Sequence, residues 1–142
     1  MHDHIVLRVT VKLLLPFIIM YAFYIQAHGE YSPGGGFQAG VIFAVAFIGY
    51  SFAASLEALQ KILSPLIIRI LAAFGVLLYS GVGVLSLYMG GKFLEYSVLL
   101  PDNVEGQKLG IMAIELGVGI TVFAVVMLIF YSFGGRSEND PG

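Results

Sequence analysis

Cysteine is absent from the 142 residues. That excludes a disulfide framework and any thiolate metal site, and it leaves the redox compartment open. Charge is scarce as well: Lys, Arg, Asp and Glu make up 11% of the chain, where a soluble domain carries about a quarter. So few charges cannot wet the surface of a globule this size. With 58% of residues hydrophobic and a mean hydropathy of +0.92, the apolar excess must face lipid or other membrane helices. The net charge of -2 is too small to attract nucleic acid, and no nucleic-acid partner is expected. No nucleophile stands beside a base, and no phosphate-cradling Gly-Lys-Ser/Thr loop or His/Cys cluster is present. Catalytic, cofactor-binding and metal-binding residues are therefore expected to be absent, and the chain is not read as an enzyme.

What is present is four long apolar runs. They cover about residues 5–26, 37–59, 65–89 and 109–133. Each has about the 20 residues that a helix rising 1.5 Å per residue needs to cross a hydrocarbon core. Only helices and closed barrels satisfy their backbone in lipid, and barrel strands would alternate in polarity. The expected fold is all-α: an integral membrane protein with four transmembrane helices, short loops and a disordered cytoplasmic tail over 134–142. The linkers are His28–Gly36, a tight turn at Gln60–Ser64, and the longer polar stretch Gly90–Gln107. Arg8, Lys12, Lys61, Arg69 and Arg136 fall at one end of such a bundle, and only Lys92 and Lys108 at the other. By the positive-inside rule both termini are expected in the cytoplasm.

The densest local signal is His28-Gly29-Glu30-Tyr31-Ser32-Pro33-Gly34-Gly35-Gly36-Phe37. Ser32 followed by Pro33 reads as a helix start, with a capping hydroxyl and a proline suited to the first turn. Three glycines directly after it weaken that start by about 1 kcal/mol each relative to Ala. A chain that keeps them needs close backbone approach, an unwound helix start or exposed N–H groups. Gly36, Gly40 and Ala44 fall four apart, a ridge of small residues that lets another helix come near. Two readings stay open, a packing face or a place beside an ion path.

Glu115 lies inside the fourth run. A carboxylate in hydrocarbon costs several kcal/mol unless it is paired, hydrated or protonated, so such residues mark ion or proton routes. The other reading is a carboxyl satisfied by a helix neighbour or by a partner subunit. Glu57 and Lys61 have i, i+4 spacing at the end of the second run and read as a structural pair. Arg8, Lys12 and Arg69 read as snorkelling side chains, and His2, Asp3 and His4 as a wetted terminus. Gly75, Gly81, Gly83, Gly117 and Gly119, inside the third and fourth helices, suggest close helix contact and, with Ser80 and Ser86, a packed interior face.

The stretch HGEYSPGGGFQAGVI, together with the chain length and the four-helix layout, resembles the MnhB/MrpB family. These are subunits of the multisubunit cation/proton antiporters of bacteria and archaea, related to parts of membrane-bound hydrogenases and of respiratory complex I. Relatives commonly carry Asn-Ala before Pro-Gly-Gly-Gly-Phe, where this chain has Tyr31-Ser32, so the likeness rests on the core motif. The resemblance implies functional weight for Pro33, Gly34, Gly35, Gly36 and Phe37, with His28 beside them. It also implies an assembly that exchanges Na⁺ or another monovalent cation for protons, whose large antiporter-like subunits hold the main proton-pumping groups. This chain would be an accessory, structurally required subunit in a bacterial or archaeal cell membrane. Its partners would be the other subunits, the lipid bilayer, monovalent cations and protons. Two alternatives remain: a subunit of a hydrogenase-type ion pump, and a small homo-oligomeric channel built around Glu115.

Overall fold

The apolar runs fold as four long helices, and a short fifth interrupts the sequence expectation. The elements are α1 (Asp3–Ala27), α2 (Gly36–Ala53), α3 (Leu56–Ile62), α4 (Pro65–Tyr88), a 3-10 turn (Tyr96–Val98) and α5 (Asn103–Ser137). The computed structural model describes residues 3–29 and 35–137, with side chains for 5–29 and 35–135. Among the described residues there is no strand. Four helices are long and apolar enough to cross a membrane: Ile5–Ala27, Gly36–Ala53, Pro65–Tyr88 and Asn103–Gly135.

Capping chemistry explains where the elements depart from the apolar runs. The second helix stops at Ala53 instead of reaching Leu59, because Ser55 starts a new helix. The Ser55 hydroxyl accepts from the Ala58 N–H at 3.0 Å, which satisfies one of the donors left open at a helix start. Glu57 and Lys61 then stand in the first and last turns of α3, each at the helix end that favours its charge. The turn expected over Gln60–Ser64 shrinks to Leu63 and Ser64. There Ser64 accepts from the Ile67 N–H at 3.3 Å, and Pro65 occupies the first helical position. α5 begins six residues before Leu109, where Asp102 accepts from the Val104 N–H at 2.9 Å. It runs on to Ser137, into the segment expected as tail. Residues 138–142 of that tail lie outside the described residues.

The helices stand in the order α1, α2, α5, α4. α1 and α2 are antiparallel, with Phe23 edge-on to Phe43 at 4.8 Å and Val11 beside Gly49. α2 and α5 run in the same direction: Gly36 meets Glu115, Gly40 meets Gly119, and Phe47 meets Phe123 at 5.5 Å. α4 returns antiparallel to α5. This open row leaves α1 almost wholly exposed and α2 the most buried of the four.

The side-chain core sits at one end of the row. Ala44, Leu59, Ile68, Ala124, Met127 and Tyr131 form it. The Tyr131 hydroxyl donates to the Leu63 carbonyl at 2.8 Å, tying the α3–α4 turn to α5. At the opposite end, residues 89–102 fold back over α4 and α5. The turn begins at Gly90 with φ of 86°, a left-handed conformation that suits glycine. Phe93 then packs on Gly83, and the Tyr96 ring packs on Gly110. Burial, and then the neighbouring Tyr79, push the Tyr96 phenol above its ordinary pKa.

Candidate functional site

Helix contacts fix the level of Glu115. Half a turn away on α5, Gly117 packs on the Gly75 carbonyl and the Tyr79 backbone, in the middle stretch of α4. Twelve residues separate Glu115 from the first residue of α5, about 18 Å at the rise of an α-helix. Gly29 after α1 and Gly35 before α2 both lie against the Glu115 side chain, whereas α5 extends beyond it by those twelve residues. Non-helical backbone at membrane depth is tolerated only where protein buries it or where it lines a wet cavity. At Gly29 and Gly35 the neighbour is Glu115 of α5.

Three absent Cβ atoms make room for this meeting. A Cβ on Gly29 would lie 2.7 Å from Glu115 Oε1 and closer still to Oε2. One on Gly35 would lie 3.0 Å from Oε1. One on Gly36 would fall into the Glu115 backbone, 2.8 Å from its carbonyl carbon and 3.0 Å from its Cα. The carboxylate thus occupies a notch cut by the end of α1 and the start of α2. Gly35 is the N-cap of α2, and its N–H donates to Gln38 Oε1 at 3.0 Å. A helix start carries partial positive charge, so an anion beside it is favoured.

One turn further along the seam, a Cβ on Gly40 would lie 2.5 Å from the Gly119 carbonyl oxygen. A Cβ on Gly119 would lie 2.7 Å from Gln26 Oε1 and 3.1 Å from the Gly36 carbonyl oxygen. Gln26 comes from α1 and is, among the described residues, the one polar side chain lining a groove of about 330 Å³ whose other walls include Phe23, Phe43, Phe47, Leu71 and Phe123. Glycine at 36, 40 and 119 lets α2 and α5 come together nearly backbone to backbone, as small residues do in membrane interfaces.

The structure therefore brings Glu115, Gly35 and Gly36 into one place. Phe37 is not part of it, with 59% of its surface exposed. The His28 ring is exposed and stacks on Tyr24 at 4.3 Å, with Nδ1 donating to the Tyr24 carbonyl at 3.2 Å. Pro33 and Gly34 lie outside the described residues, as do Glu30 and Ser32. The helix start expected at Ser32–Pro33 lies outside the described residues, and α2 is described from Gly36. The ridge of Gly36, Gly40 and Ala44 faces α5, as its spacing predicts. Of the glycines expected in close helix contact, Gly75 meets Gly117 and Thr121, and Gly119 serves α2 and α1. Gly83 houses Phe93 of the connecting loop, and Gly81 has open space beside it, so neither is a helix contact. No group of three or more His, Cys, Asp or Glu that could hold a metal occurs among the described residues. The side chains of His2, Asp3 and His4 lie outside them.

Two residues of this place were not singled out from sequence. Gly29 was hidden among other loop glycines, and Gln26 reads as the polar end of a span. The only available signal for Gln26 was an amide inside the last turn of an apolar helix.

Four apolar spans and a carboxylate set into a seam of glycines define a multi-pass α-helical membrane protein. The family model described as "Domain related to MnhB subunit of Na+/H+ antiporter" matches residues 6–128, and the chain belongs to that family. Two similar proteins, both named "Putative antiporter subunit mnhB2", come from Staphylococcus aureus strains Newman and JH1. Each is 34% identical over 139 residues, spanning 95% of this chain and 98% of the relative.

Proposed function

We propose that the chain is an accessory membrane subunit of a multisubunit Na⁺/proton antiporter, required for its structure and lining part of the cation route. Membership of the MnhB family carries the reading. The open row of helices supports it: α1, nearly unburied, offers an apolar length that lipid or neighbouring subunits must cover. The chain is a transporter subunit, not an enzyme, and works with the other subunits of its assembly on monovalent cations and protons. Its orientation is N-in and C-in. Arg8, Lys12, Lys61 and Arg69 are all exposed at the α3 end, where positive charge marks the cytoplasmic face. The route passes the notch of Gly29, Gly35, Gly36 and Glu115, because an ionisable group at membrane depth belongs beside a path for charge.

Deletion of the chain tests this directly. Everted vesicles lacking it are expected to lose Na⁺-dependent proton movement, and restoring the chain from a plasmid restores it. Undiminished exchange in the deletion strain ends the proposal.

A further inference from the structure

We infer that the groove between α1, α2, α4 and α5 holds an acyl chain of an anionic phospholipid, with the headgroup on Lys12. This goes beyond the antiporter reading and needs only that the four spans lie in a bilayer. The groove has a volume of about 330 Å³. That is roughly twice the apolar cavity that takes up one benzene, and leaves room for about a dozen carbons. Its walls are apolar: Phe23 from α1, Phe43 and Phe47 from α2, Leu71 from α4 and Phe123 from α5. Phe23 keeps 61% of its surface exposed, so the groove is open along one side. Ring faces without neighbours lose dispersion contacts that a chain laid against them restores.

Depth decides what fits. On α5 the walls run from Leu116 to Phe123, about 10 Å of helix. Leu116 follows Glu115, and at the other end Leu63 of the α3–α4 turn closes the groove. The groove therefore serves one leaflet, about 15 Å of the hydrocarbon core. A partner's transmembrane helix needs a seat along about 20 residues, and this groove stops half way.

Charge marks the end at which the headgroup sits. Val11 packs on Gly49, two positions past Phe47 on α2, which puts Lys12 level with the α3 end of the groove. Lys12 and Phe23 both lie on α1, and eleven residues bring a helix back to within about 20° of the same face. The lysine thus stands on the edge that Phe23 gives to the groove, with its side chain exposed. Arg8, Lys61 and Arg69 are exposed at the same end, with Glu57 as the acid among the described side chains there. Basic residues at this level of a membrane attract anionic headgroups. The apolar stem of a lysine lies along the groove while its ammonium reaches the phosphate.

The test reconstitutes the purified assembly in vesicles of phosphatidylglycerol carrying a diazirine in its acyl chain. Crosslinked residues of this chain are then mapped by mass spectrometry. Labelling is expected to concentrate on Phe43, Phe47, Leu71 and Phe123, several-fold above Leu77, an exposed position of α4. Phosphatidylcholine with the same diazirine chain should label the groove roughly fivefold less, the weight of one basic residue near a membrane surface. Lys12→Gln should remove that preference, and Lys12→Arg should keep it. Groove residues labelled no more than Leu77, as when a partner helix fills the groove, would overturn the inference. Equal labelling by the two lipids in the wild type, or a preference undiminished in Lys12→Gln, would overturn it too.

Discussion

The seam between α2 and α5 is built in two different ways along its length. Near Glu115 it is backbone against backbone, with glycine at 36, 40 and 119 and hardly a side chain between the helices. Toward α3 it is packed by side chains, with Ala44, Ala124, Met127 and Tyr131 buried and the rings of Phe47, Phe52, Phe123 and Phe130 around them. Lipid is as apolar as leucine, so neither half is held by the hydrophobic effect that drives soluble cores. The aromatic half gains dispersion from many large contacts. The glycine half gains close approach, and it brings Gly29, Gly35 and Gly36 against Glu115 and, one turn further on, Gln26 against Gly119. The lesson is a division of labour: one half fixes the helices, and the other uses the fixed geometry to hold charge.

Substitutions at the two halves can break or sharpen this contrast. Gly36→Val is expected to act most strongly, because its Cβ would enter the Glu115 backbone, which no rotamer change relieves. A loss of about 3 kcal/mol or more follows, visible as absence of the chain from the purified assembly. Survival of that variant at wild-type levels would show that the glycine half is soft. Met127→Ala, at a fully buried position of the other half, should cost about 2 kcal/mol through the cavity it leaves. It would be seen as earlier release of the chain on graded heating of the assembly. Tyr131→Phe removes the hydrogen bond to Leu63 and should cost about 1 kcal/mol in the same assay. Gly81→Ala is the control, since a Cβ there meets nothing. It should be neutral or stabilise α4 by up to about 1 kcal/mol. Marked destabilisation by it would mean that every glycine of the spans matters, and the contrast would lose its meaning.

Much of this was visible in the order of residues. Spacing alone pointed Gly36, Gly40 and Ala44 toward a neighbouring helix, and apolar length alone set the number of spans. The third apolar run begins at Pro65, and so does α4. Ser55 caps α3 within an uninterrupted apolar run, so hydropathy alone does not show the break between α2 and α3. Gly75, Gly81 and Gly83 look alike in sequence. Their neighbours differ because a helix has one face toward α5, another toward the returning loop, and a third toward nothing.

Glu115 stood out by itself, as a lone acid in an apolar run. Its surroundings did not. Gln26 and Gly119 are separated by more than ninety positions along the chain, and nothing local in either announces the other.

The number of spans and the clustering of positive charge at one end were determined by the sequence, because the balance of apolar and charged side chains acts locally and lipid is an unforgiving solvent for charge. Which helix lies beside which, and therefore that Gly29, Gly35 and Gly36 meet Glu115 and that Gln26 meets Gly119 one turn further on, was decided only by tertiary structure. The parallel approach of α2 and α5, made possible by missing side chains on both, is what carries the end of α1 to the carboxylate.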